Sequence, residues 1–213
     1  TQAPTNDLWS LLLANPPYVR HQDIDRDLGW LRNALSERTG IRIDGRSDLY
    51  MYFVFTAHDW LIEGGIAAWL LPAEFMSTDF GRALRNYLTS TVRVRRIHIY
   101  EGKSSLFDNA RISSAVVIYQ RSEASHLDHV IVTRGGTMKS PDETINLSIA
   151  ALQRRDRWTW AALTTAIPSR SAKTLGDHFH IKRGIATGAN SSFVLNESQL
   201  ILLDVRPEWV RPL

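Results

Sequence analysis

Asn15, Pro16, Pro17 and Tyr18 stand in a row directly after the apolar run Leu8-Trp9-Ser10-Leu11-Leu12-Leu13-Ala14. The pattern predicts a buried strand that stops abruptly in an Asn-Pro-Pro-aromatic turn. Such a turn puts a rigid polar group at a carboxyl strand end, where open α/β sheets keep their ligands. Both prolines fix φ and remove N–H donors, so the Asn15 side-chain oxygen and the Pro16 carbonyl can be held as two acceptors aimed at one point. The ring of Tyr18 lies beside them. A planar amine on a heterocycle is a poor nucleophile because its lone pair is delocalised into the ring. Two acceptors gripping its N–H hydrogens would favour a pyramidal nitrogen and free that lone pair, while Tyr18 stacks on the base. The chemistry that fits is methylation of an exocyclic amino group on a base that has left its duplex. The plainer reading of the same four residues is a strand followed by an ordinary Pro-Pro turn.

The elements that must position this turn follow in order along the chain. Thr1 to Asp7 is a polar lead-in. Leu28, Leu31 and Leu35 suggest a short helix inside the charged stretch from His21 to Arg46, and Gly40 and Gly45 bracket turns after it. A second helix is expected from Asp48 to about Ile62, with Ser47 as its N-cap and Gly64-Gly65 as its stop. Ile66 to Leu71, closed by Pro72, reads as a strand buried on both faces. Asp79 to Ser90 reads as an amphipathic helix, and Val92, Val94, Ile97 and Ile99 as the next strand. Helices alternating with strands are the pattern of a doubly wound α/β sheet.

Composition narrows the class. With 213 residues and 44% hydrophobic content the chain can bury a real core. It has no cysteine, which excludes disulfides and thiolate metal sites and suits a cytoplasmic location. No apolar run approaches the ~20 residues needed to cross a bilayer, so no membrane partner is expected. A net charge of +3 and a pI near 9.4 are compatible with nucleic acid without demanding it. His126, Asp128 and His129, or His178 and His180, lack a third or fourth ligand at a recognisable spacing, and no metal is expected. Arg93, Arg95 and Arg96 form a basic stripe that a solvent-facing strand explains. Arg154, Arg155 and Arg157 beside Trp158 and Trp160 read equally as a nucleic-acid contact or as a charged helix end before a hydrophobic anchor.

Three segments resemble one family. Asn15-Pro16-Pro17-Tyr18-Val19-Arg20 resembles the catalytic motif of amino-directed DNA methyltransferases, in particular the adenine-specific enzymes of restriction-modification systems related to the Eco57I and TaqI methylases. Leu106-Phe107-Asp108-Asn109-Ala110, followed by Ile112 to Tyr119, resembles the family's loop before a final hairpin strand. Phe179-His180-Ile181-Lys182-Arg183-Gly184-Ile185-Ala186-Thr187-Gly188-Ala189-Asn190, leading to Phe193, is similar to the entry of its target-recognition domain.

The resemblance implies a Rossmann-like methyltransferase that uses S-adenosylmethionine as methyl donor and double-stranded DNA as substrate. Asn15, Pro16, Pro17 and Tyr18 would be catalytic, with Asn15 also touching the cofactor. Tyr18 and Phe107 would clasp the extruded base, since base-aromatic stacking contributes ~1 to 3 kcal/mol. Phe53 would lie near the cofactor, with a plain core aromatic as the alternative. Arg20, Arg46, Lys139 and Arg183 are candidate DNA contacts, each equally readable as a solvated face. The family's cofactor-binding glycine-rich loop precedes its catalytic motif, so the expectation is the carboxyl half of the sheet in residues 1–147, acting with an upstream half in cis or trans. Residues 148–213 would be a connector and the start of the recognition domain. Adenine-N6 is the expected target, with cytosine-N4 as the rival chemistry and a non-catalytic DNA-binding or assembly fragment as the rival class.

Overall fold

The computed structural model describes residues 8–25, 27–101, 113–123, 125, 127–166, 175–180 and 193–210. Chain contacts divide it into two compact units that meet at residues 167–168. The first is mixed α/β around a six-stranded sheet. Its strands are β1 (Trp9–Ala14), β2 (Leu61–Pro72), β3 (Arg93–Tyr100), β4 (Ser114–Gln120), β5 (His129–Arg134) and β6 (Glu143–Ser148). They lie in the order β1-β2-β4-β3-β5-β6. β1 runs parallel to β2 and β3 parallel to β5, while β4 is antiparallel to both β2 and β3, and β6 to β5. The carboxyl ends of β1, β2, β3 and β5 therefore share one edge.

Helices α1 (Gly29–Thr39), α2 (Leu49–Thr56), α3 (Arg82–Ser90), α4 (Ile149–Gln153) and α5 (Trp160–Thr164) join the sheet in one hydrophobic cluster. Ala67, Trp69 and Leu71 of β2, Ala115, Val117 and Tyr119 of β4, Ile97 and Ile99 of β3, and Val130 and Val132 of β5 all face that cluster. The opposite face is different. In register across it lie Leu11 and Leu13 of β1 (56% and 72% exposed), Ile66 of β2 (45%) and Ile131 of β5 (43%).

Two expectations are thereby corrected. The strand before the Asn15-Pro16-Pro17-Tyr18 turn is not buried, and β2 is buried on one face rather than both. The reason is that no helix among the described residues screens the second face, so apolar content that reads as deep burial is left open on it.

The start of β2 also departs from expectation. α2 ends at Thr56, a single 3-10 turn spans Ala57–Trp60, and β2 begins at Leu61. Gly64 and Gly65 do not stop a helix; they form an irregularity in the β1–β2 pairing, between the pairs Trp9–Leu61 and Leu11–Ile66. Gly64 has φ +80°, and a Cβ on Gly65 would sit 2.9 Å from the Ile62 carbonyl oxygen. Glycine supplies the left-handed turn and the close approach that such a bulge needs. The N-cap of α2 is Asp48, not Ser47, and Asp48 makes no side-chain cap bond. Its carboxylate is engaged elsewhere, as described below.

Two histidines sit in this framework. His58 Nδ1 meets the Tyr87 hydroxyl at 2.8 Å, and His98 Nδ1 meets the Thr133 hydroxyl at 2.8 Å. Burial lowers the pKa of each below the usual 6.5. The unfolded chain therefore binds protons that the folded chain refuses. Their contribution to stability is complete above pH 6.5 and is lost as pH falls from 6.5 through the lowered folded values. Thermal melts between pH 7.5 and 5.5 should show a falling Tm, and replacing both histidines by Gln should flatten that part of the profile; an unchanged slope would refute the assignment.

The second unit is described only in part. It contains 3-10 turns at Leu175–Asp177 and Pro207–Trp209 and the helix α6 (Glu197–Leu202). α6 opens with a capping box: Asn196 accepts from the Gln199 backbone N–H, and the Gln199 side chain accepts from that of Asn196.

Candidate active site

The Asn15-Pro16-Pro17-Tyr18 turn leaves the carboxyl end of β1 at the shared edge. Pro16 is buried, whereas Asn15, Pro17 and Tyr18 are exposed. The Tyr18 hydroxyl donates to the Leu70 carbonyl of β2 at 3.0 Å, and its ring meets Tyr50 of α2 edge-on with centroids 6.5 Å apart. That fixes the ring while leaving it 37% exposed. Partial burial raises the Tyr18 phenol pKa, so the hydroxyl stays a donor. Downstream, the Leu49 N–H donates to the Val19 carbonyl at 3.0 Å and the His21 N–H to Asp48 Oδ1 at 3.0 Å. The turn is thus tied to the strand beside it and to the start of α2.

Among the described residues nothing donates to the Asn15 carboxamide or to the Pro16 carbonyl. Two acceptors at a sheet edge beside an anchored, half-open aromatic can take both hydrogens of an amino group. The other predicted residues fall as follows. Phe53 is 42% exposed while Tyr50, Met51, Tyr52, Val54 and Phe55 around it on α2 are buried, so it is not the core aromatic of the plainer reading. Arg20 is exposed next to the turn. Arg46 is exposed, yet its guanidinium is held in a fork by Asp44, at 3.1 Å from Nε and 2.9 Å from Nη2. That arginine holds the Asp44 carboxyl down at about 2. Lys139 is exposed in the β5–β6 turn at the same edge. That turn lies four strands from β1, ~19 Å at the usual strand spacing. Phe107 and Arg183 lie outside the described residues.

Several basic groups prove to be structural. Arg93 pairs with Asp128 at 2.5 Å, Arg95 donates to Gln120 and Arg96 to the Met138 carbonyl. Arg155 donates to the carbonyls of Ala151, Ala162 and Thr165, joining α4 to α5. Trp158 is buried and donates to the Leu152 carbonyl, and Trp160 to Glu143. No group of three potential metal ligands gathers among the described residues, and no described helix is long and apolar enough to cross a membrane.

Sequence reasoning missed two features at the same edge. One is a cleft of about 290 Å³ lined by Glu74, Ser77, Glu101, Trp158 and Trp160, where β2 and β3 end. The other is Arg85 of α3, buried at 4% exposure, which donates through Nη1 to the Phe75 and Thr78 carbonyls and through Nη2 to that of Asp156. The only available signal for Arg85 was a charge on the apolar side of the helix.

Known sequences resemble this chain most clearly over the stretch that carries the turn. Residues 8–107 match the Eco57I restriction-modification methylases. The chain is also similar to the type II methyltransferase M.AccI of Acinetobacter calcoaceticus, 23% identical over 220 residues that cover 94% of this chain and 39% of the relative. With M.XamI of Xanthomonas campestris pv. amaranthicola it shares 26% identity over 191 residues, 87% of this chain and 35% of the relative. It therefore spans between a third and two fifths of these curated relatives. Among solved structures, the type IIG restriction endonuclease BpuSI superposes with a TM-score of 0.54 at 16% identity, covering 73% of this chain and 21% of that one. That likeness concerns the fold. The Eco57I match begins at Leu8 and takes in the whole turn, α1 to α3, and β1 to β3.

Proposed function

We propose that this chain forms the base-gripping part of a DNA methyltransferase of a restriction-modification system, which transfers the methyl group of S-adenosylmethionine to the N6 amino group of an adenine turned out of duplex DNA. The observation that carries the reading is the pair of unengaged acceptors, Asn15 Oδ1 and Pro16 O, beside the hydroxyl-anchored ring of Tyr18. The methylase match over residues 8–107 supports it. The two acceptors hold the amino hydrogens and turn the nitrogen lone pair toward the methyl donor. Tyr18 stacks on the base, and Phe107 closes on its other face. S-adenosylmethionine, when bound, supplies an electrophilic methyl on sulfonium, and the exposed ring of Phe53 is the aromatic group offered to it. Arg20, Lys139 and Arg183 contact the duplex outside the target base.

The open sheet face extends this reading. Parallel sheets are stable when both faces are covered, and β1 lies at the end of the sheet order with Leu11 and Leu13 exposed. A cofactor-binding α/β segment, in the same polypeptide or a separate one, would continue the sheet from β1 and lay its helices over Leu11, Leu13, Ile66 and Ile131. The greater length of the curated relatives leaves room for such a segment. The domain division into a catalytic part and the start of a recognition part belongs to the same proposal.

The test is transfer of labelled methyl from S-adenosylmethionine to unmethylated DNA, with the product nucleoside identified. The chain is assayed alone and together with the longer protein or partner that supplies the upstream segment. N6-methyladenine from the complete assembly is the expected product. N4-methylcytosine would move the target to the rival base, and duplex binding without transfer would favour the non-catalytic fragment.

A further inference from the structure

A broad depression lies on the helical layer of the sheet. It is a groove of about 820 Å³ between α1, the segment at 42–46 and the start of α3. Four guanidinium groups line it, from Arg32, Arg42, Arg46 and Arg82, against two carboxylates, Asp44 and Asp79. Both carboxylates are already engaged. Asp44 holds Arg46 in the fork described above, and Asp79 pairs at 3.2 Å with Arg157, which lies outside the groove. Arg32, Arg42 and Arg82 have no carboxylate within ion-pair distance among the described residues. Arg32 is held beside the Tyr52 hydroxyl, and its Nη1 stands where a Cβ on Gly45 would approach to 3.0 Å. Three guanidinium groups without an ion pair among the described residues, lining one open groove, give an anion with several oxygens a favourable place, and the guanidinium fork matches phosphate oxygens in pairs.

Position says which phosphate. Two of the segments that line the groove adjoin the edge that carries the proposed catalytic turn. Arg46 is two residues before Asp48, whose carboxylate accepts from His21 just after that turn. Arg82 opens α3, which the chain reaches from the carboxyl end of β2. The cations come from three separate segments across an open trough, with no glycine-rich loop to wrap a single terminal phosphate. An extended chain of phosphodiesters satisfies such an array, whereas one free phosphate occupies a fork or two.

We infer that Arg32, Arg42 and Arg82 form a sequence-independent site for the sugar-phosphate backbone of duplex DNA beside the extruded base. The inference rests on DNA being the substrate, as proposed above. These contacts carry no base information; they set the register of the duplex on the protein.

The experiment measures binding of the full-length protein to two unrelated 25-base-pair duplexes as salt is varied, by fluorescence anisotropy. Wild type is compared with Arg42→Gln, Arg82→Gln, their double variant, and Arg154→Gln as a control outside the groove. Circular dichroism checks that each is folded. Each groove substitution should lower the slope of log affinity against log salt by about 0.9 and weaken both duplexes alike, roughly threefold to tenfold at 150 mM salt. Arg154→Gln should leave the slope unchanged. Unchanged slopes in the folded groove variants would overturn the site. So would inorganic triphosphate binding that depends on Arg42 and Arg82 while duplex binding does not. Methyl transfer by the wild-type protein, assayed beside binding, separates the two readings. Normal duplex binding with a groove-dependent slope, but no methyl transfer even by wild type, would sink the methyltransferase proposal and leave the backbone site standing.

Discussion

In the full-length protein, Asn15→Ala should reduce methyl transfer by about 10² to 10³-fold at saturating DNA, the usual cost of removing one preorganised polar contact to a reacting group. Affinity for duplex should change little. The expectation follows from how the turn is built. The Asn15 carboxamide is exposed and makes no hydrogen bond within the described protein, so its loss removes nothing that holds the fold. The Pro16 carbonyl stays in place because Pro16 is buried and both prolines fix their own φ. One of two acceptors disappears, and with it the bias toward a pyramidal nitrogen. The loss belongs in kcat rather than in the KM for DNA, because the interaction matters most as the lone pair is released.

Tyr18→Phe is the companion variant. It deletes the 3.0 Å bond to the Leu70 carbonyl but keeps the stacking ring. A fall in kcat much smaller than that of Asn15→Ala would identify the hydroxyl as an anchor. Single-turnover transfer rates with identified product nucleoside decide both. Normal turnover by Asn15→Ala would remove the catalytic assignment.

The turn at Asn15 to Tyr18 was legible because the groups that could do chemistry there lie within four consecutive residues. Pro-Pro fixes the backbone locally, and Asn and Tyr carry their functional groups wherever the fold sends them. The strands β1 and β2 and the helices α1 and α3 were legible as elements for the same reason, since apolar spacing is a local signal. What the sequence left ambiguous depended on neighbours. Leu11, Leu13 and Ile66 have the composition of a buried strand, and only the absence of a described helix over one face shows that they are open. Gly64-Gly65 reads as a helix stop until β1 is placed beside it, where the pair becomes a bulge. Phe53 sits in the continuous apolar run Leu49–Phe55, so no spacing distinguishes it from the five residues that the core takes. The arginine groove draws on residues 32, 42, 46 and 82, which no linear motif connects.

Arg85 is the extreme case of that kind, and its removal should have the largest effect on stability of any single polar substitution here. Arg85→Met should destabilise the protein by about 2 to 4 kcal/mol. Hydrogen bonds to a charged group contribute roughly 1.5 to 3 kcal/mol each, offset in part by relief of the cost of burying the cation. Burial already lowers the Arg85 pKa, which is the mark of that cost. Three bonds outweigh it because their acceptors have nowhere else to turn. The Phe75, Thr78 and Asp156 carbonyls come from the segment joining β2 to α3 and from the loop between α4 and α5, and the guanidinium holds the two together. The backbone there is tight as well: a Cβ on Gly81 would lie 2.1 Å from the Phe75 carbonyl oxygen.

The same link shapes the cleft of Glu74, Ser77, Trp158 and Trp160, since its two sides belong to the two segments that Arg85 joins. Arg85→Lys keeps the charge but cannot reach all three acceptors from one point, so it should recover only part of the loss. Urea unfolding of the three proteins measures this. A midpoint for Arg85→Met equal to that of wild type would mean that relief of the buried charge cancels all three bonds. Equal midpoints for the lysine variant and wild type would mean that charge, rather than the fork, joins the segments.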